Sequence, residues 1–545
     1  MLATRTAAAT AVVAIAAALV PPPQCDPGSP LPSFHITGLG TGPHDANAIF
    51  RYGNVWHLMH QSNWTDWAHL VSTDLVHWTR FPSVLSPNGD WDGTLTILDG
   101  EPVILFDCYD VADCLPEPHA EEWVSRRATQ STPNDRTIVG VARPVDLKDV
   151  NLTVWTKDSH NPIKIVHGGA PGAGPSNLWR VGSTINMLMT QRKGQLVRYQ
   201  TNDATLHEWS IATPSPFYPG HGGSGVGIFH ALPPSMRLAS LSSMGGASHS
   251  ATSTESPTHM LGGIRPPTGH ALGTPWFALG IYRSMTGAFN ATGPPVVLDH
   301  SELFVFGQVG VVDGSRMLHV GWFNGPGLSN CLTVPRDVTY DPMLRTLLAQ
   351  PVPELRLLRG NVLGAFGPTH VQQGEAVSLF EHGTSANAFD LVIEVDLSHV
   401  QHRIVFSVAI TTAERGPDTR VVLLLHVSVG TPTEAGSLAG ILRQSRAVNV
   451  SASVPHTAVA AHNTSFGFQM PTTEASLSVR TLADRALAET FVASGRGAVT
   501  SPLLIPSNGS NLTLRVAFAA VEPSTGVMLR SALAWSMGCG WSTTI

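Results

Sequence analysis

Charge is scarce in this chain of 545 residues: Asp, Glu, Lys and Arg together make up 13% of it. The 32 Lys and Arg residues are outnumbered by 39 Asp and Glu, and the basic residues form no cluster. A nucleic-acid partner is thereby excluded. Cysteine is scarce too, at five residues, Cys25, Cys108, Cys114, Cys331 and Cys539, too few for a disulfide scaffold. Cys108 and Cys114 stand close enough to pair around the loop YDVAD, as an oxidising compartment would allow. Neither an HExxH motif nor any His/Cys metal spacing accompanies the 24 His residues, so no metal and no cofactor is expected. Helical periodicity is nearly absent, and beyond residue 20 no apolar run is long enough to span a bilayer.

What is present is hydrophobic, at 43%, and long enough for two or three domains. Residues 1–20 carry Arg5 and then an apolar run of the length of a signal-peptide h-region, an uncleaved signal anchor being the alternative. Residues 21–34 form a Pro-rich spacer. Sequons stand at Asn63, Asn151, Asn290, Asn449, Asn463, Asn508 and Asn511, which with the leader points to a secreted or secretory-lumen glycoprotein, the vacuole and cell wall included.

From residue 35 to residue 358 short apolar runs are separated by turns such as Asp99-Gly100, Gly182 and Asp313-Gly314, an all-β pattern of repeated hairpins. Turn spacing alone is compatible with six or seven propeller blades. Gly222–Pro267, rich in Gly, Ser, Thr and Pro, reads as an inserted loop. Residues 359–545 hold further strand-like runs, among them FDLVIEVDLS and RVVLLLHVSV, which suit a β-sandwich.

The richest stretch runs from Pro43 to Trp78. It opens on Asp45, flanked by His44 and Asn47. Two apolar runs follow, Ala48–Tyr52 and Val55–Gln61, joined by Gly53-Asn54, and a third run carries Trp67 and His69. A carboxylate, Gln61 and tryptophans are what a sugar site uses: charge for the anomeric carbon, hydrogen bonds for hydroxyls, an aromatic plate for the ring. Alternatively, Asp45 closes an Asx-turn and the tryptophans fill a core.

These residues resemble the N-terminal signature of glycoside hydrolase family 32, the invertases and fructan hydrolases, in HDANA, LMHQSN, WAH and STDLVHW. The likeness continues in NLTVWTKDSHNPI, in SRMLHVGW, in LTVPRDV, in LADRALAETF and in LRSALAWSMGCGW. It implies a five-bladed β-propeller followed by a C-terminal β-sandwich. It also implies hydrolysis of terminal β-fructosyl units of sucrose or fructan with retention, Asp45 being the nucleophile. Gln61, Trp67, His69 and Trp91 would line the pocket with His44 and Asn47.

The chain departs from the family at its other two acids. The R-D-P position falls on Ala173-Gly174-Pro175, and the E-C-P position falls near Phe229-His230-Ala231, without a carboxylate in either. His230 stands where the proton donor would be, or is a loop histidine. Asp92, in GDWDGTLT, restores a carboxylate or caps a turn; Asp107 and Asp110 are further candidates. Ser176 and Asn177 are candidates to bind sugar hydroxyls in place of the missing Asp. Losing acid/base assistance lowers rates by about 10²–10⁴-fold, so the alternative is a catalytically impaired carbohydrate-binding propeller.

Overall fold

The computed structural model describes the chain from Cys25 to Trp541 apart from residues 27–28, 30, 38–42, 63–65, 86–89, 109–113, 116–137, 168–173, 192–194, 213–216, 218–225, 234–256, 265–274, 302, 313–314, 326–329, 343, 382–383, 385, 413–420, 435–443, 455–461, 504–513 and 523–525. The leader and the sequons at Asn63, Asn508 and Asn511 lie outside the described residues, as do Asp110 and Ala173.

Each apolar run between turn residues becomes one strand of an antiparallel meander. The first sheet takes Pro43–Tyr52, Val55–Ser62, Asp66–Ser72 and Thr79–Leu85 in chain order. Its first turn is the Gly53-Asn54 pair, with Tyr52 opposite Val55 and Gly53 at φ +59°. Asp99-Gly100 closes the second sheet's first hairpin in the same way, with φ +55° and +92°, the left-handed pair a two-residue turn requires. Among the described residues five sheets succeed one another, beginning at Pro43, Asp90, Lys164, Val226 and Phe304; in the third, Lys164–His167 pairs in parallel with Glu208–Ile211, and the fifth also takes in Ile36–Thr37. They are the blades of a five-bladed propeller, fewer than turn spacing suggests. Two seven-stranded sheets, built from residues 359–537, face each other across a core of Val, Leu, Ile and Phe as the β-sandwich.

One sequence reading is corrected here. Gly222–Pro267 is not wholly an insertion: Val226–Ala231 and His259–Ile264 within it are paired strands of the fourth blade. Their Gly and Pro neighbours hide them, because a strand of four to eight residues has too few alternations to stand out from a turn-rich background.

The inner strands meet around the axis, and each seam has its own tie. Leu178 N–H donates to Thr96 Oγ1 at 2.7 Å between the second and third blades. Asn177 bridges the third and fourth, donating to the Phe229 carbonyl at 2.7 Å and accepting from its N–H at 2.6 Å. His230 Nε2 donates to the Val309 carbonyl at 3.0 Å between the fourth and fifth. Gly310 lets the fifth inner strand press on the first, since a β-carbon there would lie 1.8 Å from the Ile49 carbonyl oxygen. The first seam is tied by two carboxyl groups, described below.

The ring closes through its N-terminal end. Ile36–Thr37 pairs with Cys331–Leu332 in the fifth blade. Just before it, His35 is buried between two sandwich carboxylates, with Nδ1 2.9 Å from Asp484 and Nε2 2.9 Å from Glu489. Glu489 also receives Arg336 of the fifth blade at 2.6 Å, and Arg336 reaches Asp299 at 2.7 Å. Disulfides join Cys25 to Cys539 and Cys108 to Cys114, and Cys331 is a free, buried thiol.

Burial by itself would lower the His35 pKa, but the two carboxylates overcome it and lift the imidazole to about 9. Burial would raise Glu489, yet Arg336 and His35 pull it down to about 2. His35 therefore contributes stability that is complete below its unfolded value near 6.5 and is lost as pH rises towards 9. Glu489 contributes stability that is lost as pH falls from about 4.5 towards 2. The His35 shift corresponds to a few kcal/mol, on the order of 1.4 kcal/mol per unit. Denaturant melts of the wild type should lose that much between pH 6.5 and 9, and His35→Gln should be less stable at pH 6 and lack the slope. An unchanged slope in His35→Gln would refute this account.

Candidate active site

Asp45 sits in the opening bulged turn of the first blade's inner strand, where the register shifts between Pro43 and Ala46 and again before Ala48. Asp92 occupies the matching place in the second blade, where the register shifts between Asp90 and Gly93. A bulge re-aims side chains out of the alternating pleat. Here the two carboxyl groups turn towards each other and share a hydrogen bond, while both residues keep partial solvent exposure.

Gly93, next to Asp92, lets Trp67 and the neighbouring strand pack closely. A β-carbon there would lie 2.2 Å from the Leu105 carbonyl oxygen and 2.8 Å from the Trp67 ring. Trp67 is thus wholly buried beneath the pair, in the core of the first two blades.

A third acid stands close by. Asp107 lies near the end of Glu101–Cys108, the strand beside Asp92's own, with the Cys108–Cys114 disulfide next to it in the chain. Its side chain is 8% exposed; Oδ2 accepts the Gly174 N–H at 2.9 Å, and Oδ1 has no hydrogen-bond partner.

All three acids are pushed up from the ordinary carboxylate range. For Asp45 the cause is burial, then the charge of Asp92 and its hydrogen bond. Asp92 is raised by burial, partly offset by its bond to Asp45. Burial and then the Asp92 charge raise Asp107, against the pull of the Gly174 N–H. Like charges this near oppose one another's ionisation, so each carboxyl keeps its proton to a higher pH than a free one. Such a set can attack an electrophilic carbon with one oxygen and deliver a proton from another.

Residues 35–214 match the model of the glycosyl hydrolases family 32 N-terminal domain. An insoluble beta-fructofuranosidase, isoenzyme 3, of Oryza sativa subsp. indica is 31% identical over 35% of this chain and 34% of its own length. The cell wall beta-fructofuranosidase of Pisum sativum is 25% identical over 67% of this chain and 66% of its length. The chain thus spans about a third to two thirds of the length of these relatives. In fold, the crystal structure of fructan 1-exohydrolase IIa from Cichorium intybus superposes with a TM-score of 0.71 at 18% identity, covering 94% of this chain and 98% of that one. Over residues 35–214 the chain is thus similar to glycoside hydrolase family 32.

The structure places several sequence candidates elsewhere than in a pocket lining. Trp67 is core, as described. His69 is wholly buried, its Nε2 2.9 Å from His57 Nδ1. Ser176 is committed to the backbone, donating to the Asn177 carbonyl and accepting the Leu188 N–H, both at 2.9 Å. Asn177 has both ends of its amide spent on Phe229. For these four, a hydroxyl-binding or stacking role is replaced by a framework one.

His230 is also corrected. Burial lowers its pKa to about 4 despite the Val309 carbonyl, so the ring is neutral at neutral pH and its Nε2–H is engaged in the fourth seam. It carries no spare proton. Of the remaining candidates, His44 meets Trp322 edge-on at 5.2 Å between ring centroids, and Gln61 and Asn47 are buried. Trp91 lies on Asp90–Leu98, and its side chain is outside the described residues.

Among the described residues one group could hold a metal ion: Asp158, His160 and His207 on the third blade, with donor atoms within 4.8 Å of one another. Each ring nitrogen already faces Asp158 Oδ1, at 3.1 and 3.2 Å.

Because the three acids are raised, folding burdens them increasingly as pH climbs through their folded-state values. Asp92→Asn removes one charge from the set. Its melting temperature should equal or trail the wild type near pH 4 and exceed it by several degrees at pH 8. A difference that does not grow with pH would show that the pair is uncoupled.

Proposed function

We propose that this protein is a retaining β-fructofuranosidase-type hydrolase acting on terminal β-fructosyl units of sucrose or a fructan, with Asp45 as the nucleophile. The observation carrying the reading is the pairing of Asp45 with Asp92 at the seam of the first two blades, in the stretch that carries the family's first acidic motif. The names of the relatives, beta-fructofuranosidases and a fructan exohydrolase, supply the substrate class.

In the first step an Asp45 oxygen attacks the anomeric carbon while the leaving oxygen takes a proton, giving a covalent fructosyl-enzyme. Water then releases fructose with retention. Asp92 acts on Asp45: the bond between them holds a shared proton, and a substrate hydroxyl entering the site takes over Asp92's place as partner. No metal or cofactor takes part. A secretory route, through a signal peptide over residues 1–20, belongs to the same reading. Exposed sequons at Asn290, Asn449 and Asn463 are open to glycosylation along it.

The second reading, a carbohydrate-binding propeller without turnover, is favoured by Gly174 and a neutral His230 standing where relatives carry acids. One assay separates the two. Purified protein should release fructose from sucrose or 1-kestose, and Asp45→Asn should lower kcat at least about a thousandfold. The remote Asp396→Asn should match the wild type. Fructoside binding without fructose release would establish the binding protein instead.

A further inference from the structure

We propose that Asp107 is the proton donor and later the general base of this site, a place that neither Asp92 nor His230 fills. The inference rests on the hydrolase reading above and names the residue that reading lacks.

The argument begins with distance. A retaining mechanism needs its two carboxyl groups about 5–5.5 Å apart, with the scissile bond between them. Two carboxyls joined by a hydrogen bond have oxygens only about 2.5–2.7 Å apart. Asp92 is bonded to Asp45 in this way and is too near to flank a glycosidic oxygen from the other side. The next carboxyl outward is Asp107. It stands on the strand beside Asp92's own, and neighbouring strands are about 4.7–4.9 Å apart. Asp107 thus stands one strand further from Asp45 than Asp92 does.

Its hydrogen bonding fits the role. Oδ2 is occupied by the Gly174 N–H, so the neutral acid carries its proton on Oδ1, the oxygen without a partner. A buried polar atom left unpaired costs about 1–3 kcal/mol, which a bound hydroxyl or glycosidic oxygen would relieve. Burial and the Asp92 charge keep this carboxyl protonated above the usual range. Two features hold it in place: the Cys108–Cys114 disulfide beside it, and the N–H of Gly174, whose φ of +62° suits glycine.

The chemistry closes. Asp107 Oδ1–H gives its proton to the glycosidic oxygen as the bond from that oxygen to the anomeric carbon breaks and the Asp45 oxygen bonds to the carbon. The alcohol leaves. The Asp107 carboxylate then takes a proton from water, whose oxygen attacks the anomeric carbon and frees Asp45.

Leaving-group dependence tests this. Asp107→Asn keeps an oxygen for the Gly174 N–H but has no proton to give. Its kcat/KM on sucrose should fall about 10²–10⁴-fold. On p-nitrophenyl β-fructofuranoside, whose leaving group needs no proton, fructosyl-enzyme formation should fall less than about tenfold, and added azide should restore turnover as the β-fructosyl azide. Equal losses on both substrates, or the leaving-group pattern in Asp92→Asn instead, would overturn the proposal and leave the nucleophile reading intact. A wild type that releases no fructose, or an Asp45→Asn variant as active as the wild type, would remove both. Should Asp107→Asn not fold, Asp107→Glu must shift the alkaline limb of kcat/KM against pH; an unmoved limb also overturns it.

Discussion

A propeller is a ring cut open at one point, and here the cut is sealed by an ion cluster. His35, just before the strand Ile36–Thr37, lies between Asp484 and Glu489 of the sandwich, and Glu489 in turn holds Arg336 of the last blade. Three parts of the chain far apart in sequence are thereby fixed by charges with no access to water. Asp484 also accepts the backbone N–H groups of Ser33, Phe34 and His35, so the segment's direction is set before the first blade begins. Removing one member of such a cluster leaves its partners charged and buried, at about 3–5 kcal/mol. The position of Asp45 depends on this anchorage, because the inner strand that carries it follows directly from the anchored segment.

The carboxyl set at the first seam is the opposite kind of buried charge. In the closure cluster acids face cations, which favour the ionised form; at the seam acids face one another, which disfavours it. The first arrangement stabilises the fold at neutral pH, and the second opposes it. A fold can carry the second only where the first, and the hydrophobic cores of the blades, supply the difference. That contrast marks the acids of the seam as chemically poised and those of the closure as structural, although all are Asp or Glu in β-strands.

Much of the fold was legible. The two-residue turns at Gly53-Asn54 and Asp99-Gly100 need left-handed backbone, which their residues advertise, and the alternating runs of the sandwich became its strands. The blade count was not legible from spacing, since the fourth blade's strands are short and embedded in Gly, Ser and Pro. Within the site, the acidic candidates Asp45, Asp92 and Asp107 could be listed by their side-chain chemistry. Their grouping could not, because it depends on bulges that redirect side chains against the pleat. Trp67, His69, Ser176 and Asn177 are placed in the framework for a related reason: polar and aromatic side chains also pack within and between blades, and sequence does not tell which face they take. Asp484, Glu489 and Arg336 were visible only as parts of family-like motifs, and the structure gives them their function in ring closure.

The acids missing from the third and fourth blades are therefore better understood together with those present in the second. Gly174, at the R-D-P position, adopts a left-handed φ of +62°, where any side chain other than glycine's is disfavoured by about 1 kcal/mol or more. Its N–H is directed to Asp107, and a carboxylate at position 174 would add a further like charge beside that acid. His230, at the E-C-P position, is spent as a neutral seam donor to Val309. Each replacement suits a site whose carboxyls come from the first two blades. Charge repulsion makes the two arrangements alternatives: with Asp92 and Asp107 in place, acids at 174 and 230 would crowd more ionisable oxygens into one poorly solvated space than it can hold in the charged state.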